Sequence, residues 1–462
     1  MTAEHLSFIM FGVCLLALVM GYPVALTLGG VSLLFAFVGD HLGLFNAGML
    51  MVYPLRVFGV MKNEPLVAVP LFIFMGVMLE KSNLAGDLLE TMGRMFGRMR
   101  GGLGISVVIV GSLLAASTGI VGATVVTMGL MSLPVMLRSG YSPRLGAGLI
   151  CASGTLGQII PPSIVLVLLG DILQGANEIA AQRAGKLVPE PVTAIDLFAG
   201  ALIPGVLLVG LYVGWQVAMA LLQPGSCPAL KGGDAEDRET VAVLEAIKVV
   251  LAPVLLIVVV LGSILTGIAT PTESASVGAV GATLLALRAR QLNLSILRVV
   301  SLQTMKITSM VFLILLGASM FSLVFRGFGG DVVVEEFLSD LPGGQFTAMA
   351  VVMLIIFLLG FFLDFIEIIF VVVPIVGPIL IAMGCDPLWL GVMIGINLQT
   401  SFLTPPFGFA LFYLRGVAPA NMRTSDIYLG VFPFIGIQLV ALTLVWMFPV
   451  IVTWLPERIF MP

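Results

Sequence analysis

Two carboxylates, Asp364 and Glu367, stand three residues apart in the apolar run GFFLDFIEIIF. Ionisable groups inside a bilayer are costly and are kept mostly for function, so Asp364 reads first as a cation ligand and second as a helix cap. Glu367 shares its face only if the helix runs straight through both. Two other clusters set neutral oxygen donors beside proline pairs. SGTLGQIIPPS, residues 153–163, combines Ser153, Gly154, Thr155, Gly157 and Gln158 with Pro161 and Pro162; NLQTSFLTPPFG, residues 397–408, combines Asn397, Gln399, Thr400, Ser401 and Thr404 with Pro405 and Pro406. Successive prolines stop a helix, because neither ring carries an N–H and both clash with the turn before. In hydrocarbon the freed backbone groups persist only inside protein or against a ligand. Freed carbonyls and hydroxyls can ligate Na⁺, and exposed helix N-termini can hold a carboxylate. Either break alone is equally a kink satisfied by Ser and Thr side chains. A last cluster, Ser117, Thr118, Gly119, Gly122 and Thr124 in AASTGIVGATVVT, reads as a hairpin tip, with a small-residue packing face as the alternative.

Positioning such groups requires membrane helices. The 462 residues are 59% hydrophobic and 10% charged, with a mean hydropathy of +1.16, which only a polytopic, all-α membrane protein accommodates. The net charge of −4 is small and says little about partners, and there is no basic patch for a nucleic acid. Cys14, Cys151, Cys227 and Cys385 lack metal-ligand spacing, and two histidines, His5 and His41, are too few for a His-based centre. The first apolar run has no basic leader and reads as a retained helix. Spans are expected near 5–21, 23–39, 65–80, 196–222, 246–268, 272–288, 305–325 and 426–450, with interrupted apolar stretches at 102–138 and 345–383 and a solvent linker at 223–240.

The chain is duplicated. Pro134, Gly140, Pro143, Pro161 and Pro162 recur as Pro378, Gly384, Pro387, Pro405 and Pro406, each 244 residues on (378 − 134 = 406 − 162 = 244), and Gly86-Asp87 recurs as Gly330-Asp331. Each half holds three spans, a re-entrant hairpin that adds no crossing, a broken helix and one more span. Five crossings invert the second half, and inverted repeats with broken helices are a secondary-transporter signature. Arg94, Arg98, Arg100, Arg138 and Arg144 flank the first hairpin while the ends of the second carry no Lys or Arg. By charge bias the first opens from the cytoplasm and the second from outside, which puts the linker in the cytoplasm and both termini outside. Residues 81–100 have an amphipathic pattern that suits a brace at the membrane plane. The outer segment 171–195 is a candidate docking loop for a partner, through Arg183 and Lys186.

At this point the sequence resembles the large membrane subunit of the tripartite ATP-independent periplasmic (TRAP) transporters. The resemblance rests on AASTGIVGATVVTMGLMSLPVML (115–137), GTLGQIIPPSIVLVLLGD (154–171), FLDFIEIIFVVVPIVGPIL (362–380) and QTSFLTPPFGFALFYLRG (399–416) and extends over nearly the whole chain. It implies an inverted-repeat, elevator-type transporter of the bacterial inner membrane that works with a small four-helix membrane subunit and a periplasmic binding protein. It further implies an organic acid anion as substrate, such as a dicarboxylate or keto acid, Na⁺ as coupling ion, and no organic cofactor or enzymatic activity. The implied organisation is scaffold helices and arm at 1–100, transport elements at 101–195, scaffold, linker and second arm at 196–344, transport elements at 345–420, and a C-terminal helix at 421–462. The family's site positions fall on Ser117 to Thr124, Ser153 to Pro162, Asp364, and Gln399 to Pro406. Two departures bear on substrate choice: the first tip reads STGIVGAT where many relatives are serine-rich, and Glu367 stands where many have Thr or a small residue. A stand-alone Na⁺/carboxylate symporter would share the core chemistry. A proton-pumping redox subunit would need buried Lys, Glu and His chains that this sequence lacks.

Overall fold

The computed structural model describes residues 2–82, 84–96, 99–185, 191–229, 238–420 and 422–460. Arg98, Lys186 and residues 230–237 of the linker therefore lie outside the described residues. All regular structure among the described residues is helical. The first half runs α1 (Ala3–Val19), α2 (Val24–His41), α3 (Tyr53–Lys62), α4 (Ala68–Lys81), α5 (Leu84–Phe96), α6 (Gly102–Thr118), α7 (Val121–Arg138), α8 (Pro143–Thr155), α9 (Ile164–Arg183) and α10 (Ala194–Leu222). The second runs α11 (Arg238–Leu265), α12 (Pro271–Arg288), α13 (Leu294–Gly327), α14 (Gly330–Ser339), α15 (Gln345–Leu359), α16 (Phe365–Val371), α17 (Val373–Ala382), α18 (Pro387–Leu403), α19 (Phe409–Val417), α20 (Thr424–Met447) and α21 (Val450–Phe460).

The duplication is visible in three dimensions. The hairpin α6–α7 recurs as α15 followed by α16 and α17, and Pro134 and Pro378 both sit inside the returning arm. Gly140 and Gly384 end those arms with φ of 83° and 104°, a left-handed backbone that side chains other than glycine resist. The broken pairs α8/α9 and α18/α19 recur with a cis peptide at Pro161-Pro162 and at Pro405-Pro406. The halves also differ. The second returning arm bends by 56° between α16 and α17, whereas α7 is continuous.

Small residues let helices pack closely. A Cβ on Gly317 of α13 would lie 2.4 Å from the Ala25 carbonyl oxygen of α2, and one on Gly148 of α8 would lie 2.1 Å from the Gly430 carbonyl oxygen of α20. Small-residue contacts of this kind are how membrane helices associate without a hydrophobic drive between them. Leu16, Leu26, Leu34, Leu255, Val258 and Leu284 are exposed on the outer faces of α1, α2, α11 and α12. Apolar residues around a helical bundle are what a lipid-facing surface requires.

One sequence expectation changes. The segment 171–195 is helical as far as Arg183, because α9 continues for five turns past the prolines, and α10 begins at Ala194. Its Arg183 pairs with Glu335 at 2.5 Å and Asp331 at 3.8 Å on α14. Residues 53–62 lie outside the spans expected from sequence. They form α3, which turns by 60° into α4 across Asn63 and Glu64.

Candidate functional site

The two breaks meet. Gln399 Nε2 on α18 donates to Thr155 Oγ1 on α8 at 3.4 Å, and the two residues are repeat mates (155 + 244 = 399). Mates in contact lie at the centre of the repeat, so the broken helices are back to back in the protein interior. Ser153, Thr155, Gln158, Ser163, Gln399, Thr400 and Ser401 are all buried there.

Most hydroxyls at the breaks donate to their own helix: Thr155 to the Ala152 carbonyl at 2.9 Å, Thr400 to Ile396 at 2.9 Å, Ser401 to Leu398 at 2.8 Å and Thr404 to Thr400 at 2.8 Å. That is what a ligand-free kink would show, and it leaves the oxygen lone pairs able to accept. Asn397 Nδ2 donates to the Met353 carbonyl at 2.7 Å, which ties α18 to the second hairpin. The remaining polar atoms do not fit the ligand-free picture. Ser153 Oγ, both amide atoms of Gln158 and Gln399 Oε1 are buried without a hydrogen-bond partner. A buried unsatisfied polar group costs about 1–3 kcal/mol, so four such atoms at the two mated breaks need an explanation.

Each hairpin tip packs on the breaks. Thr118 and Thr124 share a 2.8 Å hydrogen bond across the first tip, and Ser117 donates to the Leu114 carbonyl at 2.9 Å. Gly119, with φ of 61°, turns the chain there, and a Cβ on it would lie 3.2 Å from Ile164, where α9 starts. Gly157 abuts the Ala115 carbonyl, and Gly154 abuts Val125, so the first break is sealed by the first hairpin. The second tip lies on the second break through Phe365 and Phe402, with ring centroids 6.4 Å apart, and Phe362 and Phe407, 5.1 Å apart. The first break is closed, whereas Pro406 and Phe407 of the second are exposed. Tyr428 Oη donates to the Pro406 carbonyl at 3.2 Å.

Asp364 is the N-cap of α16. Its Oδ1 accepts from the Phe365 N–H at 2.8 Å, and Glu367 Oε2 accepts from the Asp364 N–H at 3.2 Å. This reciprocal cap is the second of the two sequence readings of Asp364, and it gives the buried Glu367 a local partner. No hydrogen bond joins either carboxylate to Ser153, Thr155 or Gln158 among the described residues.

Three residues escaped the sequence reading. A Cβ on Gly122 of the first tip would lie 2.8 Å from the Tyr413 ring on α19, so Tyr413 packs against the first tip. Tyr212, buried on α10 beside Gln399, accepts from Gln438 Nε2 of α20 at 2.9 Å. None of the three lies in a polar cluster, and only helix packing reveals them.

As a donor set, the breaks offer neutral oxygens: hydroxyls, amide oxygens and backbone carbonyls. Hard monovalent cations take oxygen ligands, so these residues fit Na⁺, with the orphaned Ser153, Gln158 and Gln399 oxygens as candidate ligands. No cluster of His, Cys, Asp and Glu suited to a transition metal occurs among the described residues.

The profile of the family described as "Tripartite ATP-independent periplasmic transporter, DctM component" matches residues 11–451. The chain belongs to that family. A large permease protein of a C4-dicarboxylate TRAP transporter from Rhodobacter capsulatus is 28% identical, covering 98% of this chain and all of the relative. One from Pseudomonas aeruginosa is 31% identical over 90% of this chain and 91% of its own length. An ectoine TRAP large permease from Halomonas elongata is 25% identical over 96% of this chain and 97% of the relative. Among solved structures the fold is similar to the Alcanivorax borkumensis YdaH transporter, with a TM-score of 0.63 at 15% identity over 96% of this chain and 98% of that one. This TRAP large subunit is thus an all-helical, multi-pass transport protein, and its relatives are transporter permeases, not enzymes.

Proposed function

We propose that the chain is the transport subunit for Na⁺-driven uptake of an organic acid anion across the bacterial inner membrane, and that the mated breaks form the ion and anion site. A periplasmic binding protein would deliver the anion, and a small membrane subunit would complete the permease. The observation that supports this most is the contact between Thr155 and Gln399, with unpartnered atoms of Ser153, Gln158 and Gln399 beside it. Pre-formed oxygen donors without protein partners are what a dehydrating cation needs.

Na⁺ held at the breaks would supply positive charge, and the α9 N-terminus at Ile164 adds the positive end of a 20-residue helix. An anion entering between the tips would meet both. Ser117, Thr118, Gly119, Gly122 and Thr124 would shape one side of that space, and Asp364, Glu367 and Tyr413 the other. Breaks, hairpins and α20 pack on each other through close glycine contacts, so they would travel together past the other helices, in an elevator-like movement.

The substrate class rests on relatives named for C4-dicarboxylates, while the ectoine relative shows how far the family's cargo ranges. Reconstitution tests the reading. Purified permease, small subunit and binding protein in liposomes should take up a radiolabelled C4-dicarboxylate only under an inward Na⁺ gradient and only with the binding protein present. Robust uptake without the binding protein would refute the tripartite reading, and uptake indifferent to Na⁺ would refute the ion coupling.

A further inference from the structure

A second charged feature lies away from the breaks. A cleft of about 400 Å³ opens between α3 and α13 on one side and α9 with α16 and α17 on the other. Arg56 and Arg326 both line it, and both are half-buried. Neither forms an ion pair among the described residues. Arg56 Nη1 reaches the Ser319 carbonyl at 3.5 Å, Arg326 Nη2 donates to the Pro374 carbonyl at 2.8 Å, and Arg326 Nε is buried without a partner. Because both line one cleft, two like charges share one partly desolvated space.

The carboxylates nearby are engaged by other partners. Asp171 lines the same cleft, with one oxygen held by Asn63 Nδ2 at 2.6 Å. Asp331 is felt at Arg326 but is engaged by Arg183, which also holds Glu335. Among the residues that line the cleft, two guanidiniums face one carboxylate, while the Arg183, Asp331 and Glu335 group outside it holds one arginine and two carboxylates. A guanidinium fork matches a carboxylate in geometry as well as charge, and the volume suits a small organic acid.

We propose that this cleft is an anion site, distinct from the breaks, in which Arg56 and Arg326 together hold the carboxylate of a small organic acid. The uncommitted Arg326 Nε and the unpaired Arg56 provide the donors, and the apolar wall takes the carbon chain. Because the two arginines sit on α3 and α13 while Asp171 and Pro374 belong to α9 and α17, an anion here touches both sides of the cleft. It therefore stabilises this relative placement of the two sides, and any sliding between them divides the site. The inference does not need the breaks to bind substrate, although an acid carried by the protein would be a natural occupant.

The test is thermal unfolding of the purified full-length permease in detergent, titrated with succinate, malonate and pyruvate at constant Na⁺ and ionic strength. At least one acid should raise the midpoint of the wild type saturably. Arg56→Gln and Arg326→Gln should each raise the half-saturating concentration about 10-fold or more, as loss of a charged hydrogen-bond partner does, while Arg298→Gln, an arginine that does not line the cleft, leaves it unchanged. Arg56→Lys, which keeps the charge, separates weakened binding from misfolding. No shift with any of the three acids overturns the proposal, as does a half-saturating concentration in both arginine variants equal to that of the wild type. A shift abolished by Gln399→Ala but kept in both arginine variants places the acid at the breaks and also overturns it. Stabilisation by phosphatidylglycerol nanodiscs alone, with no effect of the acids, assigns the cleft to lipid phosphate instead. Loss of Na⁺-driven uptake with arginine-dependent binding intact would refute the transport reading and leave this one standing.

Discussion

Gly76 on α4 faces the first hairpin tip, and a single methyl group there tests the packing on which the account depends. A Cβ at Gly76 would lie 2.6 Å from Thr118 Cα and 2.9 Å from the Ser117 carbonyl oxygen. Carbon atoms in contact sit about 3.5–4.0 Å apart, so the tip must retreat by about 1 Å. Both partners are backbone, and no side chain can rotate away. Overpacking of this kind costs about 1–3 kcal/mol, which at 1.4 kcal/mol per decade lowers the population of this arrangement about 5- to 150-fold. Gly76→Ala should therefore lower the thermal unfolding midpoint of the purified permease and slow reconstituted uptake. The control is the same substitution where space is open. Gly210 of α10 has nothing within 4 Å of its would-be Cβ, and Gly210→Ala should be neutral or stabilise by up to about 1 kcal/mol through helix propensity. If Gly76→Ala behaves like Gly210→Ala, α4 and the tip are not in contact, and the packing of hairpin against helices described above is wrong.

Asp364→Asn keeps an equally good N-cap, since Asn and Asp cap alike, so α16 should stay folded and the protein should insert normally. If the carboxylate also serves the ion, Na⁺-driven uptake falls to background, whereas normal uptake at normal Na⁺ dependence removes Asp364 from the site. Thr155→Val and Gln399→Leu should each impair uptake, and the double variant should lose less than the product of the two, because the residues share one hydrogen bond; strictly multiplicative losses would deny their coupling. Gly430→Val should prevent stable folding, because a Cβ there meets the Arg144 carbonyl at 2.1 Å across the α8–α20 crossing; an unchanged yield of monodisperse protein would contradict that crossing.

The helices were legible because apolar run length and proline position are local properties. Runs at 196–222 and 272–288 became α10 and α12 within two residues at each end, and both proline pairs interrupt helices where expected. The duplication was legible because a fixed spacing of 244 needs no structure to be seen. The meeting of Thr155 with Gln399 was implicit in that spacing, yet only the packing shows that these mates, and not Ser153 with Asn397, are hydrogen-bonded. Tyr413, Tyr212 and Gln438 could not be found in sequence, since each stands alone among apolar neighbours and gains its role from a helix distant in the chain. Arg56 and Arg326 were invisible as a pair for the same reason: 270 residues separate them (326 − 56 = 270), and they do not follow the repeat. The continuation of α9 to Arg183 was misread because polar residues such as Asn177 and Glu178 resemble a loop in composition while still spacing correctly on a helix face.

The central claim is that the mated breaks bind Na⁺. Equilibrium binding of ²²Na⁺ to the purified permease measures this directly. The account predicts saturable binding in the wild type that weakens about 10-fold or more when Ser153 and Gln399 are replaced together by Ala, with Gly210→Ala unchanged. Absence of saturable binding, or binding of equal strength in the Ser153/Gln399 variant, would contradict it.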